Sequence, residues 1–216
     1  MKILLFGATG MVGQHIINSA IAHGHNVRAF GRNVFEKLST ERSNLELFKG
    51  YLFTDRDIKK AMKGIDVVLS AIGGPFEAGN QTRSLGMKKI VEGMTSRSKK
   101  RIIGIGGLGI LNTVIDEETG ETEYIYKTPD FPKQYKAVSE EHFKAYQHLA
   151  ASNLDWTFVC PPDIINAGAT GHYNVNKDFP AEGKFEINAG DIAEFMMKEL
   201  KENEYLTCRV GIAAQS

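Results

Sequence analysis

The sequence predicts an α/β fold, a doubly wound parallel sheet flanked by helices, on three observations. Short apolar runs alternate with stretches of helical spacing, joined by short connections, through the first half of the chain. Glycines fall at the ends of those runs, at Gly7, Gly31, Gly50, Gly73 and from Gly104 to Gly109, where a parallel sheet needs tight strand-to-helix turns. The first run passes through Gly7-x-x-Gly10-x-x-Gly13 straight into a helical pattern.

The elements follow in order. Lys2-Ile3-Leu4-Leu5-Phe6 is nearly continuous in apolar character, as a strand buried on both faces must be. Val12, Ile16, Ile17, Ala20 and Ile21 then recur at helical spacing over 11–23, and Gly24 suits the helix C-terminus. Residues 27–30 and 45–48 read as the second and third strands. A helix is expected over 54–63, with Thr54 as N-cap and Asp57 completing a variant capping box. The fourth strand falls at 65–72, a helix at 81–96 and the fifth strand at 101–105. Right-handed crossovers between such strands give the doubly wound sheet.

The second half departs from this alternation. Residues 108–132 show no clear period and carry the acidic stretch Asp116-Glu117-Glu118-Thr119-Gly120-Glu121, which reads as a long functional or mobile loop. An amphipathic helix is expected over 138–151 and a sixth strand over 156–160, stopped by Pro161-Pro162. Residues 168–186 read as a small irregular or hairpin lobe, Asp191 as the cap of a last helix to about 200, and 206–212 as a closing strand. No repeat, low-complexity tract or linker marks a second domain. The expectation is one domain over 1–216, with substrate-side insertions at about 108–132 and 166–188.

Composition narrows the class of function. The chain has 216 residues, 42% of them hydrophobic, enough for a sizeable core. Lys+Arg and Asp+Glu are both 26, so the basic excess of a nucleic-acid binder is missing. No run is long enough to span a bilayer, and Met1-Lys2 leads into a strand rather than a signal peptide. Cys160 and Cys208 are the only cysteines and lack metal-ligand spacing, so neither a disulfide nor a zinc site is expected. A cytoplasmic monomer or homodimer acting on a small molecule, with no nucleic-acid or membrane partner and no bound metal, is the resulting expectation.

The glycine turn carries the first chemistry. Its glycines let the chain turn sharply and approach a pyrophosphate, whose charge the following helix N-terminus stabilises, and Thr9 could add a hydroxyl donor. A Walker-type loop is excluded, because no Gly-Lys-Ser/Thr follows. An acidic residue after the second strand would favour NAD(H), whereas an arginine suits the 2′-phosphate of NADP(H). Here Gly31-Arg32-Asn33 stands at that point, so NADP(H) is preferred and NAD(H) remains possible. A Rossmann-like dinucleotide fold is therefore expected. The bland alternatives are a ligand-free glycine turn and a solvated arginine.

Three segments together resemble the atypical short-chain dehydrogenase/reductases. They are the run from Lys2 to Gly13, the Gly31-Arg32 pair, and Ile65-Asp66-Val67-Val68-Leu69-Ser70-Ala71-Ile72-Gly73. Ser152-Asn153-Leu154-Asp155-Trp156-Thr157-Phe158-Val159-Cys160-Pro161-Pro162 is similar to the family's late SGLxxTxxRPP segment, and Gly171-His172-Tyr173 and the Gly190-Asp191-Ile192-Ala193 helix start extend the likeness to nearly the whole chain. The branch most resembled is that of biliverdin-IXβ reductase/flavin reductase (NADPH) and its bacterial NAD(P)H-binding relatives. The resemblance implies Gly7, Thr9, Gly10, Met11 and Val12 around the pyrophosphate and Arg32 on the 2′-phosphate. It further implies Leu52 beside the adenine, Ala71, Ile72 and Gly73 along the ribose, and Pro161 and Pro162 at the nicotinamide, with Gly107 also among the cofactor-binding residues.

The chain also departs from that pattern. The usual aspartate after the third strand is Tyr51, and Gly106-Gly107 stand where a serine commonly follows strand five. The family's Tyr-x-x-x-Lys proton-transfer pair is expected to be missing, since Tyr124, Tyr126 and Tyr135 have Thr128, Asp130 and Ser139 four residues on. Counting back from Ser152 puts Val138 in the place of the tyrosine and His142 in that of the lysine. His142 is the candidate catalytic residue, able to bond the nicotinamide ribose or donate a proton near neutral pH, or else an idle helical histidine. Asp163, in place of the branch's histidine after the double proline, could orient substrate or cap a turn. Tyr124-Ile125-Tyr126 could stack on an aromatic substrate or pin the long loop. Cys160 reads as a buried apolar residue.

Two functions compete on these residues. One is an NADPH-dependent reductase of a planar conjugated acceptor such as a flavin, quinone or tetrapyrrole, for which solvent can supply the proton. The other is a non-catalytic NADPH-binding sensor, consistent with the lost proton-transfer pair. A sugar-nucleotide epimerase is less well matched, because it would need that pair and a larger C-terminal domain.

Overall fold

The computed structural model describes residues 1–39, 41–75, 77, 79–95 and 100–216. Its centre is β1 (Lys2–Phe6), flanked by β2 (Asn26–Gly31) and β4 (Val67–Ser70). The full sheet also takes in β3 (Leu45–Lys49), β5 (Arg101–Ile105), β8 (Asp155–Cys160), β10 (Tyr173–Lys177) and β12 (Cys208–Ala214). The order across it is β10-β12-β8-β5-β4-β1-β2-β3, parallel throughout except for β10, which pairs antiparallel with β12. This is the Rossmann-like sheet that the strand-helix alternation predicts.

The continuous apolar runs are explained by their two faces. Along β1, Ile3 and Leu5 enter one core while Leu4 and Phe6 enter the other. The first core lies under α1 (Met11–Ala22) and α6 (Ala189–Glu202), which pack together, and the short α2 (Val34–Lys37) follows β2. The second lies under α3 (Asp55–Ala61), α4 (Thr82–Thr95) and α5 (Lys133–Ala150), and holds Met62, Met87, Ile90, Trp156 and Phe158. Gly24 follows α1 as read from the sequence, its N–H returning to the Ile21 carbonyl at 2.9 Å.

Several local expectations are corrected. Thr54 is the N-cap of α3 but makes no side-chain capping bond, and Asp57 accepts the Tyr51 N–H at 3.0 Å instead. The helix expected at 81–96 is described over Thr82–Thr95, and Ser96 lies outside the described residues. α5 starts five residues before the expected 138, because Pro132 supplies its N-cap position and apolar periodicity marks only the buried face.

The long loop is not structureless. It forms short 3₁₀ turns at Leu108–Ile110 and Ile125–Lys127 around a hairpin of β6 (Asn112–Asp116) and β7 (Glu121–Tyr124). The acidic stretch is the hairpin turn, where Asp116 accepts the Glu118 and Thr119 N–H groups at 2.9 and 3.1 Å. Tyr124 and Tyr126 pack on Phe143 at 4.8 and 5.6 Å, so they pin this segment rather than stand open to a ligand. Arg209 of β12 completes the anchor. Its guanidinium donates to the Ile110 carbonyl and to Asn112 Oδ1, pairs with Asp178, and lies 5.1 Å from the Tyr124 ring and 5.0 Å from the Tyr146 ring.

The small C-terminal lobe is less separate than expected. β10 is an edge strand of the main sheet, and β9 (Asp163–Ile165) and β11 (Glu186–Asn188) form a short parallel pair beside it. The cap of α6 is Asn188 by position, not Asp191. Asp191 is buried one turn in and accepts the Thr170 N–H, the Thr170 hydroxyl and the Gly171 N–H at 2.7 to 2.9 Å, tying that loop to the helix.

Candidate functional site

The strand order reverses between β1 and β4, and ligands of open α/β sheets bind outside the carboxyl ends of the strands at such a point. The sequence builds a concave turn there. Gly7 has φ of 78°, and a Cβ on it would fall on the Ala71 carbonyl oxygen; a Cβ on Gly13 would fall on the Gly7 carbonyl oxygen. Chain, turn and helix therefore approach more closely than any side chain permits. Gly10 caps α1 without a side-chain bond, and no acidic residue lies in the first turn. The helix end is exposed and uncompensated, which suits an anion.

A cleft of about 490 Å³ opens beside this turn. Its lining includes Met11, Val12, Ala71, Ile72 and Gly73 beside the turn, and Gly106, Gly107, Pro161 and Pro162 after β5 and β8. Tyr135, Val138, Ser139 and His142 line it from α5, together with Phe131, Ile164 and Phe185. The structure thus brings together Met11, Val12, Ala71, Ile72, Gly73, Gly107, His142, Pro161 and Pro162 among the sequence-derived candidates, with Gly7, Thr9 and Gly10 in the adjoining turn. Arg32 and Leu52 lie apart from the lining, beyond the ends of β2 and β3. Arg32 is exposed, while Leu52 is half-buried and packs on α4 at Gly86. Asp163 also lines the cleft, on β9.

His142 is a neutral group in this setting. Its Nδ1 is shielded from solvent with no hydrogen-bond partner among the described residues, and its ring lies against Gly107, where a Cβ would be 3.1 Å from Cδ2. Burial, with the Arg83 guanidinium adding to it, pushes its pKa from 6.5 down to about 3. A ring so placed can give or take a hydrogen bond but is not an imidazolium acid at neutral pH. This has a measurable consequence. The unfolded ring protonates below 6.5 and the folded ring only near 3, so this group's contribution to stability is present above 6.5 and is lost as the pH falls. Between pH 7 and pH 5 the wild type should lose about 2 kcal/mol more than His142→Gln in urea unfolding. Parallel curves for the two proteins would show that the ring titrates normally.

Two features of the site escaped the sequence reading. Arg83 lines the cleft and is 6% exposed, donating to the Gly74 and Pro75 carbonyls at 2.7 and 3.1 Å. It holds the segment after β4 against α4. The signal was its spacing with Met87, Ile90 and Met94, which puts an arginine on the buried stripe of that helix. Nearby, Ser84 of α4 donates to Glu141 of α5 at 2.6 Å, locking together the two helices behind the cleft.

A Tyr-x-x-x-Lys spacing does occur, at Tyr173 and Lys177, but on edge strand β10. Four residues of strand separate such groups by about 13 Å, so they cannot act as the helical pair does. Cys160 is fully buried and its thiol is pushed well above the usual range by burial, in keeping with a packing role. No group of histidines, cysteines and carboxylates suited to a metal occurs among the described residues. Nor is any helix among them long and apolar enough to cross a membrane.

A parallel sheet with a glycine turn and an apolar cleft at its switch point defines a protein of the Rossmann-like nucleotide-binding class. More particularly, the chain belongs to the NAD(P)H-binding family, whose family model matches residues 7–203. YwnB of Bacillus subtilis strain 168 is similar, at 27% identity over 229 residues and 100% of both chains. Among solved structures, a Burkholderia pseudomallei protein superposes with a TM-score of 0.82 at 31% identity, covering 99% of each chain. SP1627 of Streptococcus pneumoniae TIGR4, described as a candidate NADH-flavin reductase, superposes with a TM-score of 0.79 at 27% identity and 100% of both chains.

Proposed function

We propose that this protein is an NADPH-dependent reductase of a planar conjugated acceptor: a flavin, quinone or tetrapyrrole. The observation that carries the reading is the cleft itself, which is lined mainly by apolar and aromatic residues and begins at an uncapped helix N-terminus. The glycine turn fits a dinucleotide, since Gly7 and Gly13 let strand, turn and helix close up and Gly10 keeps the exposed N-terminus of α1 free of a side chain. Gly7, Thr9, Gly10, Met11 and Val12 would hold the pyrophosphate and Arg32 the 2′-phosphate. Leu52 would lie near the adenine, and Ala71, Ile72, Gly73, Gly107, Pro161 and Pro162 near the ribose and nicotinamide. Bound there, the reduced nicotinamide would supply a hydride with both electrons, leaving the oxidised cofactor, and solvent would supply the one proton that completes the reduced acceptor.

The chain's own residues act by placement. Pro161 is fixed by the Leu108 N–H, which donates to its carbonyl at 3.0 Å, and Arg83 fixes Gly74 and Pro75, which follow the cleft-lining segment Ala71-Ile72-Gly73. His142, neutral and half-buried, would serve as a positioning group for the ribose or carboxamide and not as the acid. The name given to SP1627 agrees with a flavin as one acceptor, although it specifies NADH.

The test is NADPH oxidation by the purified protein with FMN, quinones and biliverdin. Turnover above the protein-free rate is expected with at least one, and none with any would sink the reading. Arg32→Ala should weaken NADPH binding about tenfold and leave NADH binding nearly unchanged. Equal losses in calorimetric titrations would remove Arg32 from the site. A sensing role without chemistry is the second reading, favoured because none of the α5 residues that line the cleft is a lysine. It predicts tight NADPH binding with no turnover in the same assay, and a changed proteolysis pattern at 108–132.

A further inference from the structure

We propose that the acceptor site is bipartite: the ring system lies in the main cleft and an anionic substituent, a phosphate or carboxylate, reaches Lys184 in a second cleft. This rests on the reductase reading above and adds the substrate's charge and shape to it. The second cleft, of about 310 Å³, shares Leu108, Pro162 and Phe185 with the first, so the two are neighbours across one apolar divider. Phe185 is 68% exposed, an uncommon position for a phenyl ring, and borders both. A conjugated ring could stack on it from the main cleft.

The second cleft differs in chemistry from the first. Lys184 is the charged residue in its lining among the described residues, which also includes Thr113 and Thr128 and no carboxylate. In the main cleft the cation is Arg83, whose guanidinium is engaged with the Gly74 and Pro75 carbonyls deep in the wall. The backbone at Lys184 is held in place. Its N–H donates to the Ala214 carbonyl at 2.8 Å, and a Cβ on neighbouring Gly183, at φ of 140°, would fall on that same oxygen. The turn carrying Lys184 and Phe185 is therefore fixed to the end of β12, next to Ile212 and Ala213 of the cleft lining. A molecule that fills both spaces is a flat ring system with an acidic tail, and a neutral ring would use only the first.

Matched acceptors test this. FMN and riboflavin differ by one phosphate; biliverdin and its dimethyl ester differ by their carboxylate charges. Wild type should use at least one charged member about tenfold better in kcat/KM than its neutral partner, and which pair discriminates identifies phosphate or carboxylate. Lys184→Glu should abolish that preference while leaving the neutral acceptor's kcat/KM unchanged. Phe185→Ala should raise KM for charged and neutral members alike. Fluorescence titration of FMN and riboflavin against the NADP⁺-saturated protein gives the same comparison without turnover. Equal use of both members of each pair, or an unchanged ratio in Lys184→Glu, overturns the bipartite site. Failure of the reductase reading looks different, because then neither charged nor neutral acceptor is reduced.

Discussion

Glu199→Ala should lower the unfolding free energy by about 3–5 kcal/mol, the largest stability loss expected of a single polar substitution here. Glu199 lies on α6, 2% exposed, and its carboxylate is satisfied on every side. Arg101 Nη2 donates to it at 2.6 Å, the Thr157 hydroxyl at 3.0 Å, and the Tyr205 and Glu204 N–H groups at 3.1 and 3.0 Å. These partners come from β5, β8 and the turn after α6, so one carboxylate joins three parts of the fold. Alanine leaves the Arg101 guanidinium, whose side chain is 13% exposed, without its counter-ion, and two turn amides without acceptors. Urea unfolding of the variant gives the number. The double variant Arg101→Met/Glu199→Ala should recover part of the loss, because it removes the stranded charge. A single-variant loss below about 1 kcal/mol would mean that water replaces the carboxylate, as at an exposed ion pair.

Gly13→Val should reduce NADPH affinity about 100-fold, or about 2.7 kcal/mol. The Cβ would fall on the Gly7 carbonyl oxygen and within 2.9 Å of Ala8 Cα, so α1 must move away from the turn or the turn must open. Either shift displaces the helix N-terminus from the place where a pyrophosphate would meet it. Calorimetric titration with NADPH measures the loss, and circular dichroism establishes that the variant is folded. Gly24→Ala is the control. It shares the positive φ, at 75°, yet a Cβ there meets nothing within 4 Å. It should cost about 1 kcal/mol or somewhat more in stability and leave binding unchanged. Wild-type affinity in Gly13→Val would mean that the dinucleotide, if bound, lies elsewhere.

Much of this molecule was legible because its signals are local. β1, α1 and β5 follow from apolar runs and a glycine turn, and their bounds fall within a residue of the expectation. The cleft-lining glycines and prolines were found through the resemblance and lie where parallel strands end. What was missed depends on distant partners. The hairpin at 112–124 has little apolar periodicity of its own, and its place is set by Arg209 and Phe143. β10 is polar because an edge strand faces solvent, so 168–186 read as irregular. Asp191 and Thr54 matched capping patterns, but tertiary demands decided which groups their neighbourhoods bond. The neutrality of His142 could not be read from spacing, since it depends on burial and on Arg83 from another helix.

The Arg209 anchor has a consequence for the order in which the chain is assembled. The segment it secures lies about a hundred residues earlier, between Ile110 and Tyr124, whereas Arg209 stands in the last strand. As the chain leaves the ribosome, the first five strands and their helices can associate while the hairpin still lacks the cation its two faces close upon. That part of the cleft's surroundings is completed only when the final strand slots in beside β8. Until then the nascent protein has its glycine turn in place but not the finished far wall, so ligand recognition on the acceptor side is a property of the whole chain.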